Sequence, residues 1–206
     1  MKTNAKAALR TLSALTPSAC VLTAAPGIAG EDVRFESKTS ARQGLFLGLN
    51  AGGAGSQLMY KDGTRRISEE PLAGGLGQLR VGYNLSPKFA VGLETIGFDS
   101  KEDDADWELG AALAAVTWRP CANGFFLRAG LGVGGGDFTD PLTGQQHSVD
   151  GRAAGLFGVG YEWRLGEHAG LGLAADGVGF DANGATGFEE DHVGAGGATI
   201  QFNWYL

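Results

Sequence analysis

The sequence predicts an all-β chain that folds as an eight-stranded antiparallel up-and-down transmembrane β-barrel. Three observations predict this fold. Large apolar residues alternate with small or polar ones at period two in eight segments of the chain. The connections between these segments are alternately short and long. Glycine supplies 36 of the 206 residues and proline only 6, a composition that is neither collagen-like nor typical of a disordered Pro/Gly-rich tract.

The N-terminal residues have the pattern of a secretory signal. Lys2, Lys6 and Arg10 precede a moderately apolar run, and small residues follow it. This order predicts export, with cleavage after Ala29 or after Ala25. Cleavage removes these three positive charges, so the formal net charge of −7 becomes −10. Such an acidic balance disfavours nucleic acid as a partner.

The chain therefore divides into three parts. We expect a cleaved signal peptide over residues 1–29, a periplasmic N-terminal segment over residues 30–42 and a barrel domain over residues 43–206. Cys20 leaves with the signal, and Cys121 then has no internal partner. An exported domain without a disulfide needs another source of stability.

Each of the eight segments has one apolar face and one face of small or polar residues. In the third, Val91 and Leu93 oppose Gly92 and Glu94. An apolar outside around a polar inside is typical of a membrane barrel, and about 10 tilted residues cross the bilayer. A soluble ligand-binding barrel is the weaker alternative, because water-facing strands rarely carry so much glycine. The segments are Gly44–Gly55, Gly74–Leu85, Phe89–Phe98, Trp107–Arg119, Phe125–Gly135, Arg152–Trp163, Ala169–Gly179 and Val193–Leu206.

The connections predict how the barrel is oriented. Those after segments two, four and six are short, and they are Ser86–Lys88, Cys121–Gly124 and Arg164–His168. The other four are longer and mostly acidic, and they contain Lys61–Arg66, Asp99–Asp106, Asp137–Asp150 and Asp181–His192. Membrane barrels have short periplasmic turns and longer extracellular loops. An even number of strands then places both ends of the barrel domain on the periplasmic side.

Charged residues on the predicted inward face form the candidate site. They are Arg80, Arg128 and Arg152, with Glu94, Glu162 and Asp176. Three charges of each sign predict a neutralised network that fills the lumen, since eight strands enclose little more than side chains. A three-residue turn at Ser86–Lys88 sets Arg80 opposite Glu94, so we predict that this pair meets inside the barrel. A gate or narrow polar pore is the alternative interpretation.

Glycine is also concentrated on the predicted inward face. Its absent side chain leaves room in a crowded lumen and eases strand curvature. Gly53 and Gly155 fall on the outward face instead. The inward glycines are Gly82, Gly92, Gly130, Gly132, Gly158, Gly160, Gly170 and Gly172.

Catalytic and metal-binding patterns are weak. His147, Ser148 and Asp150 could supply a base, a nucleophile and an acid at the outer surface. Adjacent residues of a strand point to opposite faces, however, so His147 does not readily reach Ser148. We therefore expect no enzyme, with lipid A modification as the alternative. The acidic connections lack EF-hand spacing, and neither a metal site nor a cofactor is expected.

From residue 43 onward the chain resembles the small eight-stranded outer-membrane barrels of Gram-negative bacteria. These include the membrane domain of outer membrane protein A, outer membrane protein X and opacity-type porin-like proteins. The resemblance rests on the alternation and on the ending, where Ile200, Phe202, Trp204 and Leu206 look like the signal that the barrel-assembly machinery reads. It implies a monomeric barrel of the cell outer membrane with a structural or surface-interaction role. The implied partners are outer-membrane lipids and lipopolysaccharide, and during biogenesis periplasmic chaperones and the assembly machinery.

Overall fold

The computed structural model describes residues 44–62, 65–68, 71–102, 105–120, 124–139, 144–183 and 189–206. These residues form nine β-strands. The strands are β1 (Gly44–Asp62), β2 (Arg65–Ser68), β3 (Leu72–Asn84), β4 (Phe89–Glu102), β5 (Ala105–Trp118), β6 (Phe125–Thr139), β7 (Gln146–Arg164), β8 (Ala169–Asp181) and β9 (Glu189–Tyr205). No helix among the described residues is long and apolar enough to span a membrane. The predicted signal peptide, the periplasmic segment and Cys121 lie outside the described residues.

The strands close into an antiparallel barrel of eight strands. β3 to β9 pair in chain order, β3 also pairs with β1, and β1 completes the ring by pairing with β9. β2 is a short continuation of the β3 position, because it pairs with Met59–Asp62 of β1, beyond the last β1–β3 pair at Ser56. The predicted fold class is confirmed.

Both ends of the barrel domain lie beside the short connections. The backbone N–H of Leu206 donates to the carbonyl of Leu45 at 2.9 Å, which joins the two chain ends. Between β3 and β4, the N–H of Ser86 donates to the carbonyl of Phe89 at 3.1 Å and closes a tight turn. We call this end of the barrel the turn end and the opposite end the loop end.

The connections at the loop end are shorter than the sequence suggests. β4 continues to Glu102 and β5 begins at Ala105, so most of the predicted connection from Asp99 to Asp106 is paired strand. The connections predicted at residues 61–66, 137–150 and 181–192 are likewise partly strand. The acidic residues predicted solvated loops. A strand with one face in water also carries charged residues on that face, so charge alone does not distinguish the two.

Large apolar side chains cover the outside of the turn-end half. Leu131 is 77% exposed and Leu93 is 71% exposed. They belong to an outward band that also includes Leu45, Leu47, Leu79, Val81, Val91, Val133, Phe157, Leu173, Ile200 and Phe202. On the same strands the alternate residues are buried in the lumen. The period-two pattern thus assigned the two faces correctly.

Glycine lies on both faces. The eight glycines predicted to face inward have inward parity, but outward glycines are more numerous than Gly53 and Gly155 alone. A side chain added at Gly53, Gly77 or Gly155 would meet nothing within 4 Å. The outward set on β1, β3, β4, β5, β7, β8 and β9 includes Gly53, Gly55, Gly75, Gly77, Gly97, Gly110, Gly155, Gly177, Gly179, Gly194 and Gly196.

A β-bulge interrupts β7 near the loop end. Gly134 of β6 pairs with Arg152, and Gly136 pairs with Val149, so two residues of β7 oppose one residue of β6. One of the two is Gly151, whose φ of +64° favours glycine. The extra residue reverses the parity of β7, so Val149 is buried and Asp150 is exposed.

Candidate functional site

Six charged side chains are buried together in the turn-end half of the lumen. None is more than 4% exposed, and Arg128 is only 1% exposed. They are Arg80, Arg119, Arg128, Glu94, Glu162 and Asp176. Three are cationic and three anionic, so the cluster is formally neutral. We call these six residues the lumen cluster.

Five of the six residues were predicted from the sequence, and the third cation is different. Arg152 lies outside the lumen cluster because it is exposed, next to the bulge of β7 and beyond the last residue that pairs with β8. The buried third arginine is Arg119, whose Nη1 donates to Oδ1 of Asn84 at 3.2 Å. Arg119 shares inward parity with Thr117, a signal that the sequence already contained.

Arg128 is the ionic centre of the lumen cluster. Its Nη2 donates to Oδ1 of Asp176, and its Nε lies 3.6 Å from Oε2 of Glu94. Its guanidinium also lies over the ring of Phe126, 5.5 Å from the centroid. One cation from β6 therefore links carboxylates on β4 and β8, across the inside of the barrel.

Arg80 and Glu94 are in register but do not form the predicted pair. They oppose each other on β3 and β4, as the short turn predicts. Among the described residues, however, no carboxylate lies within ion-pair distance of Arg80. Its Nη2 donates to side-chain carbonyls at 2.7–3.2 Å, and the acceptors are Asn50, Gln201 and Asn203. The strand register therefore places Arg80 close to Glu94. The hydrogen-bond partners of Arg80 depend instead on where its long side chain extends.

Amide side chains connect Arg80 to all three carboxylates of the lumen cluster. Asn203 accepts from Arg80 and donates to Glu162. Asn50 accepts from Arg80 and donates to Asp176 at 3.3 Å and to Gln78 at 2.7 Å. Gln78 then donates to Glu94 at 2.8 Å. Each amide accepts on its oxygen and donates from its nitrogen, so the charges interact through polarised neutral groups.

Inward glycines let the long side chains cross a neighbouring strand. A Cβ at Gly48 of β1 would lie 2.9 Å from Nε of Arg80 and 2.6 Å from Oδ1 of Asn203. Gly158 of β7 lies in the same way beneath the Arg128–Asp176 pair. Any side chain at these positions would block the crossing. The glycine content therefore has a specific use, which is to let β3 reach β9 and β6 reach β8.

The amides were missed as site residues, although their positions were predictable. Gln78, Gln201 and Asn203 were assigned to the polar face of their segments, and Asn50 has the same inward parity. Charged residues are the more obvious candidates in a sequence, because a charge buried without a partner is energetically costly. A buried charge also needs its remaining hydrogen bonds satisfied, and that need points to nearby amides.

The loop-end half of the lumen is mainly apolar, although Ser56 and Asp191 are also fully buried at this end. Leu58 and Phe138 are fully buried there, and Phe98 is 1% exposed. They belong to a cluster with Leu76, Ile96, Trp107, Leu109, Val149, Leu156, Val178, Phe180 and Val193. The rings of Trp107 and Phe138 pack in a tilted arrangement, with centroids 5.3 Å apart. A polar interior throughout was expected from the charges and glycines, and for this half of the lumen that expectation is wrong. We call this group the apolar cluster.

The candidate catalytic residues lie at the edge of the apolar cluster. The ring of His147 packs against Phe138, with centroids 5.7 Å apart, whereas Ser148 and Asp150 are exposed. His147 and Ser148 therefore occupy opposite faces of β7, as strand alternation predicts.

The C-terminal strand carries the predicted apolar row. Ile200, Phe202, Trp204 and Leu206 all face outward and are at least 40% exposed. On the other face of β9, the hydroxyl of Tyr205 donates to Oε1 of Glu162 at 2.7 Å. Recognition of this row by the assembly machinery remains a prediction.

Solved structures share this architecture. Neisserial surface protein A superposes with a TM-score of 0.57 at 11% identity, over 81% of this chain and 99% of that protein. The protein has the fold of a small outer-membrane β-barrel. Weaker likenesses are to Ail, the attachment invasion locus protein of Yersinia pestis (TM-score 0.47, 16% identity, 79% and 99% covered), and to OprG of Pseudomonas aeruginosa (TM-score 0.38, 17% identity, 80% and 97% covered).

At these identities the likeness to outer-membrane barrels concerns the fold. No family model matches the sequence, and no curated protein matches it.

Proposed function

We propose that the protein is an outer-membrane barrel with a sealed lumen, which holds a β-sheet extension at the cell surface for a structural or interaction role. The observation that carries this proposal is a reversal of polarity along the barrel. In the turn-end half the outside is apolar and the lumen cluster is charged. In the loop-end half Asp99, Glu108 and Asp137 are exposed outside, while Phe98, Leu109 and Phe138 are buried inside.

The reversal supports a position for the bilayer. An apolar outside suits lipid, and closure satisfies the backbone there without an edge. An acidic outside around an apolar interior is the arrangement of a protein in water. We infer that the turn-end half spans the outer membrane and that the loop-end half projects from it. The termini then lie in the periplasm, after export through a cleaved signal peptide.

The two clusters argue for a sealed lumen rather than a pore. An ion that entered from the turn end would meet side chains already joined by hydrogen bonds, and above them a packed apolar cluster. A dehydrated ion in an apolar constriction is strongly disfavoured. The fully buried Leu58 and Phe138 lie at this level.

Planar-bilayer recording tests the seal. We expect no single-channel opening from the wild type or from Glu94→Ala, because the apolar cluster remains closed in both. The double variant Leu58→Ala with Phe138→Ala serves as the comparison, since it thins the apolar cluster and leaves the lumen cluster intact. Openings in the wild type would overturn the sealed lumen and favour the pore.

Localisation is tested separately. After expression in a Gram-negative host, we expect recovery in the outer-membrane fraction and a gel mobility that changes on boiling, since folded barrels resist detergent until heated. Lipids, lipopolysaccharide, periplasmic chaperones and the assembly machinery are the proposed partners of a monomeric barrel. Recovery as a soluble protein would instead favour the ligand-binding barrel.

A further inference from the structure

β1 and β9 form the strand pair that closes the barrel. They are its first and last strands, so no connection joins them, whereas the other pairs of the ring are joined through connections along the chain. Their register runs from Phe46 opposite Tyr205 to Lys61 opposite Glu189. A connected pair is kept close by its short loop, but this pair is held by non-covalent contacts alone. We call the β1–β9 pair the seam.

Large apolar side chains hold the two ends of the seam from the inside. At the turn end the ring centroids of Phe46 and Tyr205 lie 6.3 Å apart. At the loop end Leu58 lies opposite Val193, and both are buried in the apolar cluster. Between these ends the inward residues are small or polar, so packing contributes less there. They are Gly48, Asn50, Gly52, Ala54 and Ser56 of β1, with Ala195, Gly197, Thr199, Gln201 and Asn203 of β9.

Arg80 belongs to neither strand of the seam and bonds to both. Its Nη2 donates to Oδ1 of Asn50 on β1 at 3.1 Å. The same nitrogen donates to two residues of β9, to Oδ1 of Asn203 at 2.7 Å and to Oε1 of Gln201 at 3.2 Å. Asn50 and Gln201 are directly opposite each other in the register of the seam. Charge-assisted hydrogen bonds therefore cross the seam in the stretch where its inward side chains are small or polar.

Gly48 makes this reach possible. β1 lies between β3, which carries Arg80, and β9. A Cβ at Gly48 would lie 2.9 Å from both Nε and Nη2 of Arg80, so a side chain here would obstruct the passage. A Cβ at Gly53, on the outward face of the same strand, would meet nothing within 4 Å. Gly53 therefore offers a matched control for Gly48.

β9 is also held from its other side. Glu162 of β7 accepts from the hydroxyl of Tyr205 at 2.7 Å and from Nδ2 of Asn203. It reaches them across β8, where a Cβ at Gly170 would lie 2.7 Å from Oε1 of Glu162. Asn203 thus accepts a hydrogen bond from β3 and donates one to β7, so its strand is bound on both sides.

We propose that Arg80 is a clamp that keeps the seam closed between its two packed ends. Without the clamp, β1 and β9 separate locally while the other strands stay paired. Arg128 has a different role, because it neutralises Glu94 and Asp176 on β4 and β8. The inference goes beyond the proposed function, since it concerns closure of the barrel wall and holds for a conducting lumen as well as for a sealed one.

Hydrogen exchange of backbone amides tests the clamp in the folded full barrel in detergent micelles. The amides of residues 47–51 and 200–204 report on the seam, and those of residues 112–116 on β5 serve as the reference. Amides exchange through local opening when this requires less free energy than global unfolding. A clamp of the seam therefore changes the seam amides in a way that overall stability does not predict.

Two arginine variants should affect the seam in the reverse order of their effect on stability. In Arg80→Met we expect the seam amides to exchange about tenfold faster or more, because local opening no longer breaks the bonds to Asn50, Gln201 and Asn203. In Arg128→Met, the more destabilising change, the seam amides should alter by less than about twofold and the reference amides should accelerate more. A seam response to Arg128→Met as large as that to Arg80→Met would overturn the clamp, since the seam would then open only with the whole barrel.

Two glycine variants locate the effect at the crossing, and they decide the question if Arg80→Met does not fold. Gly48→Ala obstructs the passage of Arg80 and keeps its charge, and should speed seam exchange about fivefold or more. Gly53→Ala adds the same methyl group on the outward face and should leave seam exchange within about twofold of the wild type. Equal effects of the two would refute the clamp. The double variant Gly48→Ala with Arg80→Met should exchange no faster than Arg80→Met alone, and full additivity would mean that Gly48 acts without Arg80.

Discussion

The two halves of the lumen achieve a stable interior by different physical means. At the turn end, hydrogen bonds between charges and amides join strands that are distant in sequence, as between Arg80 and Asn203. At the loop end, apolar side chains pack as they do in a water-soluble protein. The outer surface changes in the opposite direction, from apolar at the turn end to acidic at the loop end. Each half of the barrel wall therefore has one apolar face, which is the outer face at the turn end and the inner face at the loop end.

Loss of Arg128 should give the largest effect. Arg128→Met leaves Glu94 and Asp176 buried without their shared cation, and we expect the free energy of unfolding to fall by about 4 kcal/mol. Arg80→Met is the comparison, because it leaves only neutral amide oxygens without a donor and should cost about 2 kcal/mol. Urea titration in micelles, followed by tryptophan fluorescence, measures both. Equal losses would show that the carboxylates do not depend on Arg128.

A cavity in the apolar cluster should give the next largest effect. Leu58→Ala empties a fully buried site and is expected to lower the free energy of unfolding by about 3 kcal/mol. Leu93→Ala, on the outward band, should cost less than about 1 kcal/mol, since detergent or lipid fills the space. The same titration applies. If Leu93→Ala were the more harmful change, the loop-end interior would not depend on tight packing.

Two glycines of β7 provide a smaller and sharper contrast. A methyl group at Gly158 would lie 3.3 Å from Nε of Arg128 and collide with Asp176, so Gly158→Ala should cost about 2 kcal/mol. Gly155→Ala adds the same methyl group on the outward face with nothing within 4 Å. It should be neutral or stabilise by about 0.5 kcal/mol, through the unfolded chain. Comparable destabilisation by both would mean that the crossing over Gly158 is not required.

The smallest effect is expected at Arg152. Because this side chain is exposed and outside the lumen cluster, Arg152→Ala should change the free energy of unfolding by less than about 0.5 kcal/mol. The urea midpoint should match that of the wild type. A loss as large as that of Arg80→Met would restore Arg152 to the buried network that its parity suggested.

The sequence by itself determined the strand number, the inward and outward faces and the facing of Arg80 by Glu94. All of these depend on a local period of two and on the length of one turn. It could not reveal that the strands continue through the acidic connections, because charge on an exposed strand looks like charge on a loop. It also could not reveal the bulge at Asp150–Gly151, which reverses the parity of β7 at Val149 and Asp150. Nor could it reveal that β7 stops pairing with β8 at Ala154, beyond which Arg152 is exposed.

Only the tertiary structure decided which side chains became partners. Arg80 crosses Gly48 to reach Asn203, and Arg128 crosses Gly158 to reach Asp176. These contacts depend on barrel curvature and on side chains up to 123 residues apart. The physical reason is the distance along the chain over which each effect operates. The alternation of apolar and polar residues is a property of neighbouring residues in one strand. A buried charge needs hydrogen-bond acceptors from other strands, which only the closed barrel brings together.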